Sequence, residues 1–198
     1  RKAGREVELF NGRDLTGWVC VTAGGPAAAE VFTVQDGCIR VAGQPFGFLR
    51  TAEQYGDYRL HAEWRWIGKP SNSGLFQRIQ EGDELWPSLI ECQLESGNAG
   101  DLLGLGGATM AGVESPEGGV PVKKRVGGAS EKPAGEWNEA EVICKGDRIT
   151  VYEAASESDE ANYISSRIIS MSKGKNFKDF AVLYRTNAQS NAVENAFK

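Results

Sequence analysis

Strict alternation of apolar and polar residues constrains the fold of this chain more than any other feature. Three apolar and three polar residues take turns in one short segment: Ile90, Glu91, Cys92, Gln93, Leu94 and Glu95. A period of two predicts a β-strand with one apolar face and one polar face. No segment before Tyr152 shows a sustained helical period, so the sequence favours an all-β sandwich up to that point.

Other polar and aromatic residues precede this strand. The segments 55–66 and 75–78 also predict strands, and they contribute four side chains: Glu63, Trp64, Arg65 and Arg78. We expect these strands to neighbour the segment 90–95. A polar face turned to water is the simplest explanation of the pattern. A surface of carboxylates, amide, arginine and tryptophan also suits a polyhydroxylated ligand.

The composition excludes some classes of function. A net charge of −5 and a pI near 5.1 give the main domain no basic footprint for nucleic acid. No run approaches the roughly 18 apolar residues of a membrane span, and no apolar segment follows the basic start, so we expect no signal peptide within the given residues. The four cysteines form no CxxC pair, which argues against structural zinc. Cys92 and Cys144 lie in apolar alternation and predict buried thiols.

The segment Asp101–Lys132 is rich in glycine and has no clear periodicity. Such a stretch inside a compact domain predicts a functional loop or a flexible insertion. It contains the basic run Lys123–Arg125, which is too short to indicate nucleic-acid binding.

Five ordered motifs resemble one known family. They lie at Glu8–Trp18, Asp57–Trp66, Asn72–Arg78, Trp86–Asp101 and Gly135–Asn138. Together they resemble the 3-keto-disaccharide hydrolase family over about residues 5–152. The resemblance implies a concanavalin A-like (glucanase-type, jelly-roll) β-sandwich for a first domain at 1–152, oxidised glycosides as substrates, and a periplasmic or extracellular bacterial protein.

The resemblance also implies a mechanism. A ketone at sugar C3 acidifies the C2 proton, so that a carboxylate base removes it, the C1 substituent leaves, and water adds to the product. The predicted catalytic residues are Glu91, Glu63 and Arg78. The predicted substrate-binding residues are Arg65, Asn72, Gln93, Asp101, Trp86 and Trp137. A divalent cation such as Ca²⁺, Mn²⁺ or Mg²⁺, held by Glu63, Glu91 and Asp101, is an alternative electrophile.

Two alternatives remain open for the sandwich. An ordinary glycosidase would use two carboxylates at a set separation, and Glu63 and Glu91 on neighbouring strands leave that option open. A non-catalytic carbohydrate-binding module is the second alternative. A binding module would keep its affinity when the carboxylates become amides and would never consume its ligand.

The pattern changes after Tyr152. Apolar residues at helical spacing from Ala161 to Met171 predict a helix that begins near Ser158 and stops at Lys173–Gly174. Phe177–Tyr184 predicts a buried strand, and a second helix follows from Asn187. Residues 153–198 therefore predict an α/β tail on a sandwich that lacks its family's closing strands.

The tail resembles a second family. Asp159–Ile164 and Phe180–Ser190 resemble superfamily 1 DNA helicases of the UvrD and PcrA type, in the region of their fourth motif. The resemblance implies that Tyr184 stacks on adenine and that Arg185 approaches the γ-phosphate. The 198 residues contain no GxxxxGK[ST] loop, so this fragment alone does not hydrolyse ATP. A nucleotide-related role is the least favoured alternative.

Overall fold

The computed structural model describes residues 5–23, 25, 30–82, 84–153, 156–172 and 187–197. Those residues are mainly β with helices near the C-terminal end, as the sequence predicts. In the described part of the chain, no helix is long and apolar enough to cross a membrane.

The elements follow in chain order. The strands are β1 (Trp18–Thr22), β2 (Phe32–Gln35), β3 (Cys38–Val41), β4 (Gly47–Thr51), β5 (Tyr58–Trp64), β6 (Gly74–Gln77), β7 (Leu89–Gln93), β8 (Leu102–Leu105), β9 (Val122–Lys123), β10 (Asn138–Lys145) and β11 (Arg148–Glu153). The helices are α1 (Glu157–Met171) and α2 (Asn187–Ala196).

Two antiparallel sheets enclose the core. One has the strand order β6-β7-β8-β9 and the other has the order β11-β10-β5. Their facing sides contribute the buried residues Cys92, Val142 and Cys144. The apolar face of the segment 90–95 therefore packs into the core, and its polar face points away from it. Cys92 and Cys144 are each 1% exposed, which confirms the prediction that they are buried.

Two smaller antiparallel pairs complete the described strands. β1 pairs with β4, and β2 pairs with β3. The β2–β3 hairpin turns at Asp36 and Gly37, whose φ angles of 51° and 73° are those that an Asp-Gly hairpin turn requires. From β4, the ring of Phe48 lies 5.6 Å from the ring of Phe76 on β6.

The glycine-rich segment is not a loop throughout. It contains β8 and β9, which pair with each other and extend the sheet beyond β7. The prediction of an unstructured stretch from Asp101 to Lys132 is therefore wrong at these positions. The strand at Leu102–Leu105 was not predicted because its sequence shows no alternation of apolar and polar residues. Both of its faces are half-buried or buried.

Both predicted C-terminal helices are confirmed. α1 begins directly after its N-cap residue Ser156, whose side chain accepts a hydrogen bond from the Asp159 N–H at 3.1 Å. The helix lies against the end of β11, because the rings of Tyr152 and Tyr163 stack at 3.7 Å. The strand predicted at Phe177–Tyr184 lies outside the described residues.

Candidate active site

The polar face of β7 places one carboxyl group in the middle of a sheet. Glu91 is 9% exposed and pairs with Phe76 on β6 and with Leu103 on β8. Residues in register across a sheet share a face, so apolar side chains flank Glu91 on both sides. Within the described part of the chain, its carboxyl group makes no hydrogen bond.

A glycine makes room for this carboxyl group. A Cβ atom at Gly74 on β6 would overlap the Oε1 atom of Glu91. Only a residue without a side chain lets Glu91 lie across β6 in this position. Gly74, the first residue of β6, thus has a steric function that alternation alone did not reveal.

The surroundings change the acidity of Glu91. Burial and, second, the nearby charge of Glu95 raise its pKa from 4.5 to about 7. Both causes penalise the charged form, since the site is poor in water and carries a like charge. A carboxyl group with this pKa exchanges a proton readily at neutral pH, which is the property of a general base or acid.

Gln93 and Glu95 continue the same face. Gln93 is 4% exposed, and its Oε1 accepts hydrogen bonds from the N–H groups of Leu94 and Glu95, each at 3.0 Å. This arrangement fixes the chain as it leaves β7. Asn98 donates to the Glu95 carboxylate at 2.7 Å. Glu95 is not among the predicted site residues, although the alternation places it on the same face as Glu91.

Two tryptophans were predicted to contact sugar, and one of them lies near Glu91. Trp86 is 46% exposed, and its ring packs edge-on against Phe76 at 6.0 Å. Since Phe76 is opposite Glu91, Trp86 borders the same face. Trp137 lies just before β10. The Cζ atom of Arg65 lies over its ring, 4.6 Å from the ring centre. The Arg65–Trp137 pair therefore belongs to the other sheet.

Asp101 is buried by its partners. It is 2% exposed, and its two carboxylate oxygens accept from Lys124 Nζ at 2.8 Å and from the Arg125 N–H at 2.9 Å. Arg125 also donates to the carbonyls of Ala99 and Gly97, at 2.9 and 3.1 Å. The basic run thus clamps the turn after β7, and the Asp101 carboxylate is occupied by that clamp.

Glu63 does not join Glu91. It lies on the outer face of β5, opposite Glu139 on β10 and 3.5 Å from His61. The expectation that Glu63 and Glu91 occupy neighbouring strands is wrong, because β5 and β7 belong to different sheets. The sequence correctly predicts that β5 and β7 are strands, but it does not show which sheet each of them joins.

The predicted set of metal ligands is not assembled. Glu63 lies on another face, and the Asp101 oxygens bind Lys124 and Arg125. Among the described residues, no group of three or more histidine, cysteine, aspartate or glutamate side chains is placed to hold a metal ion.

Arg78 also leaves the face of Glu91. Its backbone has a φ of 57°, so the side-chain alternation of β6 ends there. Its guanidinium donates to the Gly146 carbonyl at 3.0 Å and lies 5.6 Å from the ring centre of Tyr58. Arg78 therefore crosses the end of the sandwich toward the other sheet. Asn72 is exposed in the segment before β6.

The two nucleotide-binding candidates of the tail, Tyr184 and Arg185, lie outside the described residues. The described part of the tail consists of α1, with Ala161 and Ile168 buried, and α2.

Two family models match the chain. The 3-keto-alpha-glucoside-1,2-lyase-like domain matches residues 5–153, which is more than half of the chain. The UvrD-like helicase C-terminal domain matches residues 123–198. Both matches include residues 123–153 and hence β10 and β11.

The curated relatives resemble the C-terminal part. The chain is 56% identical over 52 residues to the ATP-dependent DNA helicase PcrA of Leuconostoc citreum, which covers 25% of this chain and 7% of that protein. It is 41% identical over 70 residues to PcrA of Staphylococcus epidermidis, covering 35% of this chain and 9% of the relative. The chain thus spans less than a tenth of the length of these helicases.

One solved structure is similar over most of the chain. It is a candidate glycosyl hydrolase from Parabacteroides distasonis, with a TM-score of 0.48 and 23% sequence identity. The similarity covers 73% of this chain and 66% of the other.

Proposed function

The chain belongs to the 3-keto-alpha-glucoside-1,2-lyase-like family over residues 5–153, and from this premise we propose that it cleaves 3-keto-glycosides by elimination with Glu91 as the base. The observation that supports Glu91 is its carboxyl group, which is buried in the sheet, makes no hydrogen bond in the described part of the chain, and has a pKa raised to about 7.

The proposed reaction begins at sugar C2. Glu91 takes the C2 proton, and the electron pair of the C–H bond enters the enolate with the C3 ketone. The enolate then expels the C1 substituent, whose oxygen takes up the proton that Glu91 removed, and water adds its hydroxyl group to C1 and its proton to C2 of the C1=C2 bond. A base with a pKa near the working pH has both the correct charge state and enough proton affinity for the first step.

Two neighbours complete the proposed site. The exposed ring of Trp86 is offered as the surface that stacks on the sugar. The Gln93 Nε2 group makes no hydrogen bond within the described residues, so it is offered as a donor to a ring hydroxyl. Glu63 and Asp101 have no role in this proposal, because one lies on the other sheet and the other is held by Lys124 and Arg125.

The test is turnover of a 3-keto-glucoside by Glu91→Gln. General-base catalysis is typically worth about 10²–10⁴-fold, so we expect a loss of that size in kcat with the fold intact by circular dichroism. Glu139→Gln changes a carboxylate on the outer face of the other sheet and is the matched control, with turnover unchanged. A wild-type chain that binds the ketoglycoside without consuming it would instead indicate a carbohydrate-binding module. Cleavage of an unoxidised glycoside would indicate an ordinary glycosidase.

We propose that the chain divides near residue 152 into the sandwich, 1–152, and an appended helicase-like segment, 153–198. The contact of α1 with β11 is local: the Tyr152 ring stacks on Tyr163, and its hydroxyl donates to the Asp159 carbonyl at 3.0 Å. Limited proteolysis with intact-mass analysis tests the boundary. A stable product ending close to residue 152 is expected, whereas a product that retains α1 and α2 would contradict it.

A periplasmic or extracellular location also belongs to this proposal, and it rests on the resemblance to the family alone. Fractionation of a bacterial host that makes the full-length native protein tests it, and recovery in the cytoplasm only would contradict it.

A further inference from the structure

A cleft of about 340 Å³ opens at one end of the four-stranded sheet. It lies where β6 ends, β7 begins and β8 ends, so three loops form its walls. Its polar lining comes from Arg78, Gln80, Ser88 and Thr109, and Leu89 and Ile90 contribute apolar surface. The volume is at the lower end of the range for small-molecule sites, which fits a ligand the size of a monosaccharide.

The walls of the cleft are fixed by backbone contacts. The Gln80 N–H donates to the Ser88 carbonyl at 2.9 Å and joins two of the loops. The third loop approaches through Gly106, which has a φ of 57° and where a Cβ atom would overlap the Pro87 carbonyl. Both features require glycine at this position. The cleft is therefore part of the fold and not a gap between unconnected side chains.

Arg78 is held in a costly backbone conformation at the edge of the cleft. Its φ of 57° lies in the left-handed region, which a long side chain rarely adopts. Residues held in such conformations concentrate at ligand sites, where the surrounding structure compensates for the strain. Here the compensation is visible, because Arg78 Nη2 donates to the Gly146 carbonyl at 3.0 Å.

The same guanidinium keeps donors available. Within the described part of the chain, its Nη1 and Nε groups make no hydrogen bond. A guanidinium anchored through one nitrogen keeps N–H groups on the other two, and each of these can donate to an anionic oxygen. Its orientation is set before any ligand binds.

The charge of the cleft favours an anion. None of the described residues that line it carries a carboxylate. Asp57 pairs with Arg78, its Oδ1 lying 3.7 Å from Arg78 Nη2, and the exposed Glu81 and Glu84 lie in the loop that follows Gln80. Asp57 is 64% exposed in its side chain, so water screens its charge and the offset is partial.

We propose that this cleft is a second ligand site, separate from Glu91, and that it binds a monosaccharide-sized sugar acid. Arg78 donates to the carboxylate through one of its remaining N–H groups, while the side chains of Gln80, Ser88 and Thr109 take the hydroxyl groups. The proposal goes beyond the elimination reaction, since none of these residues has a role in it.

The test is binding of D-glucuronate to the full chain, measured by chemical-shift perturbation, with D-glucose as the uncharged probe. We expect saturable binding of glucuronate, at least about tenfold weaker binding of glucose, and shifts at the cleft loops, because the charged contact distinguishes the two sugars. Glu91→Gln should bind glucuronate as the wild type does. This control separates the cleft from the proposed catalytic face even if no ketoglycoside is turned over.

Arg78→Gly is the decisive variant. Glycine adopts a positive φ without strain, so the variant should fold with a melting temperature close to that of the wild type. It should nevertheless lose glucuronate affinity by about tenfold or more. Asp57→Asn, which removes the opposing charge, should strengthen binding by a few fold.

Three results would overturn the proposal: no saturable binding of glucuronate, equal binding of glucose, or full affinity in Arg78→Gly. If Arg78→Gly does not fold, the double variant Ser88→Ala with Thr109→Val tests the same cleft without touching the strained position. Unchanged affinity in that double variant would also overturn the proposal.

Discussion

Two buried carboxyl groups lie at the two ends of one short stretch of chain, and they differ in their surroundings. Asp101, in the turn after β7, is 2% exposed and accepts from Lys124 and from the Arg125 N–H. Glu91, on β7 itself, is 9% exposed, has apolar neighbours in register, and makes no hydrogen bond within the described residues. The Asp101 carboxylate is part of a clamp, whereas no hydrogen bond within the described residues compensates for the burial of the Glu91 carboxyl group.

The difference shows how to separate structural from reactive carboxyl groups. Burial costs free energy in both cases, but partners at Asp101 return much of that cost. At Glu91 the cost remains and appears as a raised pKa. Such a residue destabilises the folded state at neutral pH. Proteins retain such residues mainly at sites with a chemical role.

The largest expected effect is that the free energy of unfolding depends on pH because of Glu91. Its folded-state pKa of about 7 lies above the ordinary value of 4.5, so the folded protein holds this proton more tightly than the unfolded chain. The free energy of unfolding should therefore fall as the pH rises from 4.5 to 7, by about 3 kcal/mol from this group. Urea unfolding of wild type and Glu91→Gln across this range measures the difference. Parallel pH profiles for the two proteins would refute it.

The next effect concerns the clamp. Asp101→Ala leaves the half-buried Arg125 N–H without its acceptor, and we expect a loss of about 2 kcal/mol in the free energy of unfolding. Lys124→Met removes only the exposed partner and should cost less than about 1 kcal/mol. Equal losses in the two variants would show that the ion pair with Lys124, and not the hydrogen bond from the Arg125 N–H, holds the turn.

The sequence predicted the faces of the strands better than their neighbours. The alternation at 90–95 correctly placed Cys92 in the core and Glu91 on the opposite face, because a period of two is a local property. It did not show that Glu63 lies in the other sheet, since pairing joins residues far apart in the chain. Arg78 was misplaced because one left-handed residue ends the alternation. Asp101 appeared free because its partners are 23 and 24 residues away.

Another expected effect concerns the space beside Glu91. Gly74→Ala places a methyl group where the Glu91 carboxyl group lies. We expect a loss of about 1 kcal/mol or more in stability from overpacking, together with a fall in turnover as Glu91 is displaced. Gly128→Ala, where no atom lies within 4 Å of the added carbon, is the matched control. Wild-type turnover in Gly74→Ala would mean that the position of this carboxyl group is not critical.

The role of Glu91 as a base is tested most directly by an NMR titration of its carboxyl carbon, whose signal is assigned by its disappearance in Glu91→Gln. We expect a pKa of about 7 in the wild type and a lower value in Glu95→Gln, because burial and the Glu95 charge both oppose ionisation. A wild-type value near 4.5 would contradict it, since Glu91 would then be an ordinary ionised surface group with no special capacity as a base.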